Sequence, residues 1–151
     1  MLSLLKQNLR KTRSISRNSK EFKMPKFSKL SLAQLETCDV NLQRLFKRVV
    51  ESFDCKVLEG HRLPQRQAEL VRAGKSKTLR SKHLSSPSSA VDVAPFPIDW
   101  EDWKRFYLFG GFVLGIANEI GIRIRWGGDW DCDTMVKDNS FNDLVHFELR
   151  D

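Results

Sequence analysis

The chain has 151 residues, of which 40% are hydrophobic and 30% charged, a composition typical of a globular protein with one core. Its net charge of +7 is uneven, because residues 1–29 carry nine Lys or Arg and one acid, whereas residues 30–151 carry seventeen basic and eighteen acidic side chains. The nearly neutral remainder argues against a nucleic-acid-binding domain, and three cysteines without a C-x-x-C pair argue against a disulfide framework or a cysteine-built zinc site.

The N-terminal segment, residues 1–26, is predicted to be a basic, flexible extension before a folded domain at residues 27–151. The apolar stretch Leu2–Leu5 is too short for a signal-peptide core, so we expect no secretory signal and synthesis in the cytoplasm. Translation starting at Met24 explains the segment equally well. The longest apolar stretch, Phe106–Ile116, is shorter than the roughly 20 residues that cross a bilayer, so no stable membrane insertion is expected.

The first half of the domain contains three predicted elements. Apolar residues at three- and four-residue steps predict one amphipathic helix over about residues 31–53. A short extended piece, 56–60, precedes a helix that begins at Pro64, continues through Ala73 and ends at Gly74. The polar residues 75–89 then indicate a loop.

The second half begins with a strand, because apolar residues alternate over 90–94. Asp99 is predicted to cap a long core helix from Trp100 to about Ile120, with Trp100 and Trp103 as structural residues and Gly121 ending the helix. A strand over 122–126 and a turn at 127–128 follow. A polar acidic loop, 129–142, then leads to a final strand over 144–149. Since helices and strands do not alternate regularly, we expect an α+β domain with a small antiparallel sheet packed against helices.

Two of the three histidines, His83 and His146, lie near carboxylates in the sequence. Together with Asp92 they offer two imidazoles and one carboxylate, which is the ligand count of a catalytic zinc site that keeps a fourth position for water. Asp143, three residues before His146, could face that open position as a general base. On spacing alone, however, a histidine near acids is more often a surface or core residue.

Several separated motifs resemble, in their order, those of VanY-like zinc peptidases. The nearest resemblance is to phage endolysins of the L-alanyl-D-glutamate endopeptidase type, which share the Hedgehog/D-Ala-D-Ala peptidase fold. The motifs are Glu59–Arg62 with Gln65–Leu70, Ser81-x-His83, Ala90-x-Asp92, Trp126–Trp130, and Asp143-x-x-His146 followed by Phe147–Leu149. The resemblance covers about residues 27–151 and implies this fold for the domain.

The resemblance also implies roles for particular residues. One Zn²⁺ would be bound by His83, Asp92 and His146, with Asp143 as the catalytic acid/base. Arg62 would polarise the scissile carbonyl or bind a substrate carboxylate, and the alternative for Arg62 is an ordinary surface salt bridge.

Substrate contacts are expected from Ser81 and Gln67 by the same resemblance. Trp126 and Trp130 could form the floor of a substrate groove, because the glycines between them let a ligand approach the backbone. Glu148 has two interpretations, as a partner that orients a histidine or as an exposed strand residue.

The sequence departs from the family in the loop that joins the two ligands of the first motif. The spacing of His83 and Asp92 is two residues longer than usual, because Ser85–Ser89 extends the loop and supplies no glycine. Val145 and His61 stand where the family usually has a proline and an aromatic residue. The loop is expected to bulge at the surface, where added length costs little closure entropy.

The predicted function is an endolysin that hydrolyses peptidoglycan stem peptides at the L-Ala/D-Glu bond during bacterial lysis. Such an enzyme would act as a monomer, without nucleic acid, and would reach the wall after a holin-type protein permeabilises the membrane. A D,D- or L,D-carboxypeptidase is the alternative with the same metal and base. An alternative of another class is a non-catalytic Hedgehog-like binding module, against which the presence of Asp143 argues.

Overall fold

The computed structural model describes residues 24–151, and the predictions about residues 1–23 lie outside this range. The described part combines four α-helices with one four-stranded sheet, which confirms the predicted α+β class. In chain order its elements are α1 (Lys29–Leu35), α2 (Val40–Val50), β1 (Cys55–Glu59), α3 (Pro64–Arg72), a 3-10 helix (Lys82–Leu84), β2 (Ala90–Pro95), α4 (Trp103–Glu119), β3 (Ile124–Gly127) and β4 (Asp143–Leu149).

The sheet has the strand order β1-β2-β4-β3, and every neighbouring pair is antiparallel. Helix α4 packs on β2, β3 and β4, and it also contacts α2. Because side chains alternate between the faces of a strand, Phe147 points to these helices while His146 and Glu148 point to the opposite face. The sheet therefore has a core face and a polar face.

The core is built around a group of aromatic rings. Phe147 meets Phe46 of α2 and Phe109 of α4 edge to face, with ring centroids 5.3 and 6.0 Å apart. All three side chains are completely buried. Complete burial of one such side chain contributes about 1.5–3 kcal/mol, so these contacts hold β4 and its polar residues in a fixed position.

The first predicted helix is wrong in one respect, because two helices occupy residues 29–50 with a break before Asp39. At the break, the Asp39 backbone N–H donates to the Ser88 carbonyl and the Ser88 N–H donates to the Thr37 carbonyl. The Asp39 N–H and the Thr37 carbonyl therefore bond to Ser88 and not to other residues of a continuous helix. The Asp39 side chain then accepts from the Asn41 N–H at 2.8 Å and caps α2.

The start of α4 also differs from the prediction. Asp102, not Asp99, is the N-cap and accepts from the Arg105 N–H at 3.2 Å. Trp100 and Trp103, predicted to be structural, are 57% and 62% exposed at this helix end. The end of α4 agrees with the prediction, since Gly121 has a φ of +72°.

No helix between residues 24 and 151 combines the length and the apolar character that a membrane span requires. The strands β1 and β2 and helix α3 begin within one residue of their predicted positions.

Candidate metal centre and active site

Three predicted metal ligands meet on the polar face of the sheet. Asp92 of β2 and His146 of β4 are directly opposite each other in the antiparallel ladder. His83 reaches the same point from the 3-10 helix before β2. The distances are 3.1 Å from His83 Nε2 to Asp92 Oδ1, 3.2 Å from His146 Nδ1 to Asp92 Oδ1, and 3.2 Å between the two nitrogens. The three ligand atoms form a nearly equilateral triangle.

The other ring nitrogen of each histidine has an acceptor as its partner. His83 Nδ1 lies 2.6 Å from the carbonyl oxygen of Gly60, and His146 Nε2 lies 3.0 Å from Glu148 Oε2. A carbonyl or carboxylate oxygen only accepts, so these two nitrogens donate. When both rings are neutral, as metal binding requires, their lone pairs lie on the nitrogens that face Asp92. Two imidazole lone pairs and a carboxylate oxygen then converge without a proton between them, which fits a divalent cation.

The charges around the triangle favour a positive centre. Burial opposes ionisation of Asp92, but hydrogen bonds with His146 and His83 outweigh it and hold the Asp92 pKa well below its usual range. Burial likewise lowers the pKa of His146, yet its hydrogen bonds with Asp92 and Glu148 prevail and raise that pKa to about 9. A cation at this position, whether a proton or a metal ion, is therefore stabilised by both carboxylates.

Glu148 is the partner that orients His146, one of its two sequence-based interpretations. It is 5% exposed, and it also accepts from Arg125 Nε at 2.8 Å. Burial would raise its pKa, but the bonds from His146 and Arg125 lower the pKa to about 2. Glu148 is therefore an ionised acceptor that fixes the ring of His146.

Arg62 lies behind the triangle and holds the outer oxygen of Asp92. Its Nη2 donates to Asp92 Oδ2 at 3.2 Å and to Glu59 Oε2 at 2.5 Å, and its Nη1 donates to Gln67 Oε1 at 2.8 Å. Arg62 is 8% exposed, and its Nε has no hydrogen-bond partner within residues 24–151. Arg62 is therefore a buried partner of Asp92, a predicted metal ligand, and not an exposed surface salt bridge.

Gln67 does not face the substrate side of the site. It is 1% exposed, and its amide donates to the Thr78 carbonyl at 2.6 Å and to Ser76 Oγ at 2.9 Å. The prediction that Gln67 contacts substrate is therefore corrected, since every polar atom of its side chain bonds to protein. Gln67 joins Arg62 to the loop that follows α3.

An open cavity of about 500 Å³ is lined in part by Asp92 and His146, two of the three predicted ligands. Its walls include the predicted residues Arg62, Ser81, Asp92, Trp130, Asp143 and His146. The hydroxyl of Ser81 accepts from the His83 N–H at 3.3 Å and so caps the 3-10 helix. The predicted catalytic and metal-binding residues thus share one cavity with Ser81 and Trp130.

Asp143 stands at the edge of this cavity, at the first residue of β4. Burial and the neighbouring Asp92 raise its pKa, while the histidines and Arg62 act in the opposite direction. Within the described residues its carboxylate accepts no hydrogen bond, in contrast to those of Glu59, Asp92 and Glu148. A half-buried carboxylate without a protein partner is free to exchange a proton with a molecule in the cavity.

The backbone at Asp143 requires a glycine on the neighbouring strand. Gly127 pairs with Asp143, and a Cβ at Gly127 would lie 2.1 Å from the Asp143 carbonyl oxygen. Glycine here allows the two strands to approach closely and brings Asp143 to the cavity.

The two predicted groove tryptophans have different positions. Trp126 is 2% exposed and belongs to the core, where it contacts Tyr107 and Phe147, so the prediction that it forms a groove floor is wrong. Its indole fills the space that Gly128 and Gly110 leave free. Trp130 does line the cavity, 5.4 Å from the His146 ring and stacked with Phe141.

Asp129 organises the loop that carries Trp130; it lies in the Trp126–Trp130 motif, but the sequence alone predicts no role for it. It is 6% exposed, and its carboxylate accepts the backbone N–H groups of Asp133 and Thr134 at 3.2 and 3.1 Å. These bonds close the loop beside the cavity. The signal in the sequence is an aspartate followed by polar residues at turn-forming spacing.

The lengthened loop between His83 and Asp92 is held by its own serines. Ser85 Oγ accepts from the Ser89 N–H at 2.9 Å, and Ser88 Oγ donates to the Ala90 carbonyl at 2.6 Å. The two additional residues of this loop are accommodated by these hydrogen bonds, and His83 and Asp92 still reach the triangle of ligand atoms.

Comparison with known proteins gives concordant results. A family model described as phage L-alanyl-D-glutamate peptidase matches residues 22–150. The chain is 32% identical over 114 residues to the L-alanyl-D-glutamate peptidase of Escherichia phage T5, covering 70% of this chain and 82% of that protein. It is also similar to the crystal structure of the Serratia marcescens L-Ala D-Glu endopeptidase ChiX, with a TM-score of 0.69, 32% identity, and coverage of 87% of this chain and 94% of that one.

Proposed function

Because this chain belongs to the phage L-alanyl-D-glutamate peptidase family, we propose that it hydrolyses the L-Ala/D-Glu bond of peptidoglycan stem peptides as an endolysin. In this proposal a single Zn²⁺ is held by His83, Asp92 and His146. Asp143 is the catalytic acid/base. Two nitrogen ligands and one oxygen ligand are a usual set for catalytic zinc.

The observation that carries the proposal is the triangle of ligand atoms, with sides of 3.1–3.2 Å. Ligands about 2.0–2.2 Å from a tetrahedral zinc ion would be about 3.3–3.6 Å apart, slightly more than these distances, so a small outward shift of the three side chains would admit the ion. The partners of both histidines, Gly60 and Glu148, direct the remaining lone pairs to the centre. The fourth side opens to the cavity, which leaves room for water and substrate.

The bound zinc ion would polarise the scissile carbonyl and lower the pKa of a coordinated water to about 7. Asp143 takes a proton from the attacking water with its free carboxylate, and then gives this proton to the leaving amine of D-glutamate. Burial raises the Asp143 pKa above its usual value, which moves it toward the working pH, where an acid/base is most effective.

The remaining cavity residues position the reacting groups. Arg62 holds Asp92 through its outer oxygen, so that the inner oxygen faces the metal. In this arrangement Arg62 acts mainly by orienting a ligand, although its position in the cavity wall also lets it meet a substrate oxygen. Ser81 and the indole of Trp130 offer a hydroxyl and an apolar surface to the stem peptide.

The cellular setting is part of the same proposal. The enzyme is made in the host cytoplasm, acts as a monomer, and reaches the wall after a holin-type protein has permeabilised the membrane. A second copy is not needed to complete the site, since all the proposed catalytic and metal-binding residues lie on one chain.

The test is digestion of purified peptidoglycan with the zinc-loaded protein, followed by mass spectrometry of the fragments. We expect released stem peptides with a new amino terminus on D-glutamate, and no release in the presence of a chelator. Release of free D-alanine would instead indicate a carboxypeptidase. Binding to the wall without any cleavage would indicate the non-catalytic alternative.

A further inference from the structure

More basic than acidic side chains line the cavity. Six line its walls: Arg62, Lys75, Lys77, Arg80, Lys82 and Arg125. Three of these have a protein partner, since Arg62 pairs with Glu59 and Asp92, Arg125 pairs with Glu148, and Lys82 Nζ donates to the Leu149 carbonyl.

The other three, Lys75, Lys77 and Arg80, form what we call the basic rim. They lie on the loop between α3 and the 3-10 helix. Within residues 24–151, none of them has an acidic partner within 4.0 Å. Meanwhile three of the cavity's four carboxylates, Glu59, Asp92 and Glu148, are paired with cations, so the rim faces little competing negative charge.

The loop that carries the basic rim is fixed to the protein. The buried Gln67 amide donates to the Thr78 carbonyl and to Ser76 Oγ, and the Lys75 backbone N–H donates to the Leu70 carbonyl at 2.8 Å. Lys77 Nζ lies 4.6 Å from the centre of the Phe141 ring, a cation–π contact with the opposite loop. The rim is thus held at the wall of the cavity that Asp143 also lines.

We propose that the basic rim binds the free carboxylate of the D-glutamyl residue on the leaving-amine side of the scissile bond, an inference that rests on the proposed function. A glutamyl residue has two carboxyl groups, and chain continuation uses at most one of them. At least one carboxylate therefore remains close to the scissile nitrogen, unless it is amidated. The rim selects stem peptides in which this carboxylate is free.

The interaction is electrostatic and partly exposed to water. Lys75, Lys77 and Arg80 are exposed side chains, so each contributes less than a buried cation would. A charge-assisted hydrogen bond to the substrate corresponds to about a tenfold preference, and this preference decreases as salt screens the charges.

The test compares two peptides that differ only in this group, one with D-glutamate and one with D-isoglutamine after L-alanine. The zinc-loaded full chain and a double variant, Lys77→Gln with Arg80→Gln, are assayed for kcat and KM on both. The matched control is Arg44→Gln with Lys47→Gln, which removes the same charge from exposed positions of α2 outside the cavity. Lys77→Arg with Arg80→Lys retains the charge and tests rescue.

We expect the unmodified protein to prefer the D-glutamate peptide about tenfold, mainly through KM. The Gln double variant should lose this preference and keep its activity on the isoglutamine peptide, while the control and the charge-retaining variant keep the preference. An equal preference in the Gln double variant, or none in the unmodified protein, would overturn the inference and leave the proposed function standing. If the unmodified protein cleaved neither peptide, the proposed function and the inference about the basic rim would both be refuted.

Discussion

At the scale of single residues, Asp143 differs from the other carboxylates of the site. Glu59, Asp92 and Glu148 are each held by protein partners, whereas Asp143 accepts no hydrogen bond within the described part of the chain. Three carboxylates therefore position other groups, and the fourth is available to move a proton.

Replacing Asp143 with asparagine should separate catalysis from metal binding. The variant keeps the size of the side chain but removes the base, so we expect wall cleavage to fall at least about 100-fold. Zinc content and thermal stability should stay close to those of the unmodified protein. Asp138→Asn, at an exposed position of the loop that precedes β4, is the control. Activity similar to the control would refute the role of Asp143.

Replacing Glu148 with glutamine tests the support of a metal ligand. The amide preserves the shape but removes the charge that orients the His146 ring and strengthens its basicity. We expect zinc affinity to decrease about 10- to 100-fold, measured by competition with a chelator. Glu51→Gln, at an exposed position on the other side of the core, should leave the affinity unchanged. An unchanged affinity for Glu148→Gln would show that this hydrogen bond does not support the site.

At the scale of elements, the site depends on how β3 and β4 approach each other. Gly127 is the residue that allows the Asp143 backbone to come close, because an added Cβ would meet the Asp143 carbonyl oxygen at 2.1 Å. The position of the proposed base is therefore set by the neighbouring strand as well as by its own.

Gly127→Ala should displace the beginning of β4. We expect a loss of about 1–3 kcal/mol in the free energy of unfolding, from overpacking, together with a marked loss of cleavage activity. Gly115→Ala is the matched control, since nothing lies within 4 Å of its added Cβ on the exposed face of α4. That change should stabilise the protein by about 0.5–1 kcal/mol, because alanine is the better helix former. Chemical denaturation and wall digestion measure both effects, and full activity in Gly127→Ala would contradict this account.

Elements with local signals could be predicted from the sequence, and elements set by distant contacts could not. Helix α3 has Pro64 at its start and Gly74 after its end, and both act through their own backbone conformations. The break between α1 and α2 instead depends on pairing with Ser88, a residue about fifty positions away in the chain.

The same distinction applies to the site. His83, Asp92 and His146 could be selected because few residue types bind zinc and their motifs resemble a known family. The burial of Trp126 could not be predicted from the sequence, because it depends on the space that Gly110 leaves free on another element, helix α4. The role of Gln67 as a link between Arg62 and the 75–80 loop likewise appears only when the chain is folded.

At the scale of the whole molecule, the two faces of the sheet have different roles: one packs against the helices, and the other carries the polar residues of the site. The aromatic core on α2 and α4 covers one face, and the proposed metal centre and the cavity occupy the other. The ladder between β2 and β4 places Asp92 opposite His146, so the same hydrogen bonds that stabilise the sheet also align two proposed metal ligands. Two of the three proposed ligands thus lie on paired strands, which position side chains more precisely than loops do.

Metal content per chain tests the central claim most directly. The purified protein should contain about one zinc ion per chain by elemental analysis, as a site with three protein ligands requires. His146→Ala should retain less than about a tenth of this amount under the same conditions, because two ligands no longer form a closed set. Equal zinc content in the unmodified protein and in His146→Ala would contradict the account.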